Sequence, residues 1–96
     1  MTTTLWQIEL FVPSIGDPGT WRPMQMGDLR ALTIEPSRMM QINAIRAYSE
    51  REALGGSRGC LLKVHVMELL RLWREQHPGI PARPVEITVQ RTVHVF

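Results

Sequence analysis

Apolar and polar positions alternate from the start of the chain. In "TLWQIELFV", residues 4–12, Trp6, Ile8, Leu10 and Val12 fall on one side and Leu5, Gln7, Glu9 and Phe11 on the other. Period two with β-branched and aromatic residues predicts a strand with one buried face. Pro13 ends it. "PSIGDPGT" then reads as a loop with a tight turn at Asp17-Pro18-Gly19. "WRPMQM", residues 21–26, reads as a short returning strand with Trp21 packed on the first, and Pro23 confines it to a sheet edge.

The pattern changes in the middle. "LRALTI", residues 29–34, has a strand-like look. Met39, Ile42, Ile45 and Tyr48 then recur at steps of three, which predicts a helix over 36–53, with Thr33 as cap or Pro36 in the first turn. Gly55 and Gly56 stop it. Leu62, Val66, Leu69 and Trp73 recur at steps of four, three and four, and predict a second helix from near Ser57 or Arg58 to His77. Leu61, Val64, His65, Leu70 and Leu72 widen its apolar arc, and Lys63, Glu68, Arg71, Arg74 and Glu75 mark the wet side. Pro78 and Gly79 close it.

"VEITVQRTVHVF" alternates again. Val85, Ile87, Val89, Val93 and Val95 share one face, and Arg91 interrupts the row, either at a bulge or because the strand has left the core. The elements therefore read β, short β, α, α, β in a single domain over 1–96. The fold class is α+β: a two-layer sandwich, with a small open antiparallel or mixed sheet of about three strands and two helices on one face. Such a sheet keeps open edges, which must be blunted or used.

Composition narrows the function classes. The chain has 96 residues, 44% hydrophobic and 21% charged, as in ordinary globular proteins. No stretch approaches the roughly 18 apolar residues of a membrane span. "MTTTLWQIEL" lacks a basic flank and carries Glu9 in its apolar run, which argues against a signal peptide and for a cytoplasmic location. The single cysteine fits a reducing compartment. Net charge is only +2, too small to argue for nucleic acid by itself. The cations are almost all arginine, which suits interfaces but also follows from a GC-rich coding sequence.

No reactive set converges. "GGSRGC", residues 55–60, offers glycines before a helix, an arginine and a cysteine, the ingredients of an anion site. Its spacing fails both the phosphate-loop and the dinucleotide patterns, and a flexible helix–helix joint explains it. Cys60 lacks a base at a fitting position, which favours a small buried hydrophobe over a nucleophile. His65, His77 and His94 lack paired metal-ligand spacings. The carboxylates are scattered. The sequence therefore predicts no enzyme, cofactor or metal.

What remains is surface. Trp21, Arg22, Met24 and Met26 make an aromatic, methionine-rich segment that serves either as a contact surface or as core filling. Arg46, Arg51 and Arg58, with Arg38, offer a basic face that Glu50 and Glu52 dilute. Trp21-Arg22-Pro23 after the first strand, then His77-Pro78-Gly79 and the final Val85–Val89, give the chain an overall character that resembles small accessory proteins of phages and prophages, among them anti-CRISPR and other anti-defence inhibitors. The resemblance implies stoichiometric binding to a larger, multi-subunit host complex without catalysis. Contact would use the 14–26 loop or an open strand edge, through Trp21, Arg22, Met24, Met26, Arg46, Arg51 and Arg58. A homodimer through the 58–77 helix is a further expectation. A nucleic-acid-binding module or a phage assembly factor is the alternative function.

Overall fold

The computed structural model describes residues 2–14, 16–90 and 94. It is α+β: a three-stranded antiparallel sheet and a small second sheet, with helices packed on one face. Strand β1 (Thr2–Ser14) is central, flanked by β2 (Asp17–Pro23) and β5 (Ala82–Gln90). Between them lie α1 (Met26–Arg30), α2 (Met39–Glu50), β3 (Arg51–Glu52), β4 (Arg58–Gly59) and α3 (Lys63–Gln76).

Several local expectations are corrected. The return strand ends at Pro23, and Met26 opens α1 instead of closing a strand. The reason is a cap: the Asp28 carboxylate accepts the Gln25 N–H at 2.9 Å, and Arg22 holds both of its oxygens, at 2.8 and 2.9 Å. "LRALTI" accordingly begins as helix, then turns. The segment 31–33 is tied to the end of α3, where Gln76 donates to the Thr33 carbonyl at 2.8 Å and accepts its N–H at 2.7 Å.

Helix α2 is shorter than 36–53, and its buried row is Gln41, Ala44 and Tyr48 rather than one running through Met39, which is exposed. Helix α3 starts at Lys63, so Leu61 and Leu62 lie outside it and are exposed. Its buried stripe of Val66, Leu69, Leu70, Leu72 and Trp73 meets Ile8, Leu10 and Ala82 of the sheet and Tyr48 of α2 in one core.

The segment "GGSRGC" is neither a helix joint nor a helix start. It completes a hairpin in which Arg51 faces Gly59 and Glu52 faces Arg58. Gly55 and Gly56 turn it with φ of 81° and 76°, the left-handed region open to glycine. Cys60 then pairs with Trp6 of β1, with N–H to carbonyl distances of 2.7 and 2.8 Å in the two directions. Gly59 permits that approach, because a Cβ there would lie 3.0 Å from the Trp6 carbonyl oxygen.

Candidate functional site

Register decides which side chains share each face of the sheet. Leu10 stands opposite Ala82 and Ile8 opposite Pro84, so these face the helices. Leu5 stands opposite Ile87, Gln7 opposite Val85 and Thr3 opposite Val89. The apolar row of β5 therefore lies on the sheet's other face, away from the core cluster. Directly opposed residues share a face, so Phe11, Trp21, Glu9 and Arg83 belong there as well.

Those four form an ordered patch. The Phe11 and Trp21 ring centroids are 5.3 Å apart at an interplanar angle of 60°. The Arg83 guanidinium lies 4.0 Å from the Trp21 ring centroid, and the Glu9 carboxylate holds it at 2.7 Å. Quadrupole attraction and the ion pair together fix the tryptophan's orientation. Trp21 stands out as a contact residue in the sequence; Phe11, Glu9 and Arg83 do not. The available signal was the alternation of β1, which put Phe11 and Glu9 on one side; their meeting with Arg83 needed the register.

The other expected contact residues scatter. Arg22, opposite Leu10, is on the helix-bearing face and is engaged with Asp28. Met24 is fully buried in the core, and Met26 packs half-buried against it. Met26 and Arg58 do meet, at a cavity of about 290 Å³ completed by Gln25, Gly27, Gly56 and Ser57. Arg51 lines a second, more apolar cavity of about 530 Å³ with Thr3, Leu5, Ala53, Leu54 and Val89. Arg58 approaches Glu52 at 3.9 Å. Arg46 projects from α2 into solvent.

Comparison with family models, with curated proteins and with solved structures finds no match for this chain. The site is accordingly read from its own chemistry. Cys60 is fully buried, and burial pushes its thiol up to about 12, so little thiolate forms near neutral pH. Among the described residues, no group of three His, Cys, Asp or Glu side chains is placed to hold a metal ion. His77 is spent on structure: its ring lies 4.3 Å from that of Trp73, and its Nε2 is 3.0 Å from the Ala31 carbonyl oxygen. No helix among the described residues is long and apolar enough to cross a membrane. The prominent features are thus a preset aromatic–arginine patch and a half-buried aliphatic row on one sheet face.

Proposed function

We propose that this chain works by binding another protein through the part of its sheet face that carries Trp21 and Arg83. The observation that carries the reading is the clamped Trp21. Its ring packs against Phe11 and is covered by an Arg83 that Glu9 anchors, and it remains partly open to solvent. A tryptophan fixed before binding loses little side-chain freedom on docking, and tryptophan and arginine are the commonest anchors at protein interfaces. Val85, Ile87 and Val89 extend the patch with aliphatic surface.

The same aromatics on a sheet would also serve as a stacking platform for nucleic-acid bases. Protein is favoured because Arg83 covers one face of Trp21 and Glu9 neutralises that arginine. The narrower reading, a stoichiometric inhibitor or accessory factor of a multi-subunit host complex, rests on the sequence resemblance alone.

The test is affinity capture with three baits: the unchanged chain, Trp21→Ala, and Arg46→Ala as a surface control. The expected result is a defined protein retained by the unchanged chain and by Arg46→Ala, and lost by a folded Trp21→Ala. Equal retention by all three would move the contact elsewhere. Retention of nucleic acid that falls steeply with salt would favour the alternative.

A further inference from the structure

The hydrogen-bonding phase of β5 follows from that of β1. The Phe11 N–H donates to the Pro81 carbonyl at 2.9 Å, on the β5 side. Trp6 spends both its backbone groups on Cys60, and the Ile8 carbonyl accepts from Met24, on the opposite side. Antiparallel ladders alternate, so Arg83, Val85, Ile87 and Val89 bond to β1. Pro84, Glu86, Thr88 and Gln90 turn their backbone groups outward.

That outer edge is blunted over half its length. The Ala82 carbonyl accepts from Arg74 at 3.1 Å, and Pro84 has no N–H to present. From Glu86 to Gln90 neither device operates, and no strand among the described residues pairs there. A row of outward donors and acceptors is a template for another strand.

We propose that the edge pairs with β5 of a second copy, antiparallel and centred on Ile87, to give a continuous six-stranded sheet. Three features single out this occupant and register. Outward groups must meet outward groups, which puts the centre on a residue and not between two, and overlap of the 84–90 stretch with itself keeps it at Glu86, Ile87 or Thr88. Centring on Glu86 opposes two carboxylates directly, a destabilising pair. Centring on Thr88 sets Glu86 against Gln90 and leaves Pro84 and Val85 opposite no described residue of the partner strand. Centring on Ile87 sets Val85 against Val89, Ile87 against Ile87 and Glu86 against the neutral Thr88. The Pro84 carbonyl, an acceptor only, then meets the Gln90 N–H. The two-fold axis runs normal to the sheet, so both Trp21 patches emerge on the same face. Pairing through one strand edge buries less than the roughly 1,200–2,000 Å² of a stable complex, so the association is weak and concentration-dependent.

Sedimentation velocity from low-micromolar to millimolar concentration is the first measurement, on the unchanged chain and on Thr88→Pro. That proline removes an outward N–H and leaves the bonds to β1 intact. The expected result is a monomer–dimer equilibrium that the variant abolishes; a monomer throughout, or a dimer that survives the proline, overturns the proposal. Oxidative cross-linking guards against a variant that fails to fold. Opposed non-hydrogen-bonded residues lie with Cα atoms about 4.5 Å apart, within disulfide reach. Ile87→Cys should therefore give a covalent dimer and Thr88→Cys should not. The reverse pattern, or no cross-link from either, sinks it. This result does not depend on Trp21, so the interaction reading and the dimer fail separately.

Discussion

The Tyr48 hydroxyl fills a gap in the ladder of β1, accepting the Ile8 N–H at 3.3 Å. The same hydroxyl donates to the Met24 carbonyl at 3.1 Å. On this side of β1, Trp6 is bonded to Cys60 and Leu10 is opposed by Arg22 of β2. Between them a side chain from α2 takes the place of a strand. Tyr48 is fully buried, and burial raises its phenol above the ordinary tyrosine value.

Tyr48→Phe keeps the ring and deletes the bridge. It leaves a buried N–H with no partner, at a cost of about 1–3 kcal/mol. In a domain of this size each kcal/mol lowers Tm by about 4–8 °C. Thermal unfolding followed by circular dichroism checks this, and Ile8 amide exchange should accelerate more than that of Phe11.

Gly59→Ala places a methyl group against the Trp6 carbonyl, a backbone atom that cannot swing away. The strand pairing must open to admit it, and overpacking of this kind costs about 1–3 kcal/mol. Gly79→Ala, where nothing lies within 4 Å of the new Cβ, is the control and should leave chemical-denaturation midpoints nearly unchanged.

Alkaline pH should unfold the protein through Cys60. Its folded pKa of about 12 exceeds the unfolded value near 8.5. The folded state therefore holds its proton longer, and the stabilisation is complete below pH ~8.5 and lost as pH rises toward ~12. Tyr48 adds to the same slope above its ordinary value of 10.0. Denaturation midpoints measured across this range should fall, and Cys60→Ala should flatten the earlier part of the decline. Thiol-reactive dyes should label Cys60 only as fast as the chain opens.

Acid works through Asp28. Burial raises its carboxyl, but the Arg22 side chain, the Gln25 N–H and the Arg22 charge together leave it below the usual carboxylate value. A depressed pKa gives stability that is present above the unfolded value near 3.9 and lost as pH falls through the folded one. Asp28→Asn should therefore be less stable than the unchanged chain at neutral pH, and the difference should shrink on acidification. Titrations of both proteins by tryptophan fluorescence test it.

The long strands and α3 were legible because their periods are strong; their ends were less so, since β1 runs through Pro13 to Ser14, β5 contains Pro84 and α3 starts only at Lys63. Which face β5 would bury was not, because alternation defines two faces without saying which neighbour each meets. Pairing Ile87 with Leu5 settled that, and turned the valine row outward. The 55–60 segment misled for another reason. Its glycines serve one local hairpin turn and one close strand approach, and the second depends on Trp6, far away in sequence. Trp21 was recognisable as a surface candidate; the clamp around it joins residues 9, 11, 21 and 83, which only the folded sheet assembles.

The register that sets Thr2 against Gln90 also dictates an order of events during synthesis. The sheet's middle strand leaves the ribosome before every other element described here, and one of its two neighbours leaves last. Until that neighbour arrives, the odd-numbered amides of β1 have no sheet partner, and the loop to be closed is nearly as long as the chain. Productive assembly must wait for translation to reach β5, and a ribosome stalled before Ala82 would display an apolar strand to the chaperones around it.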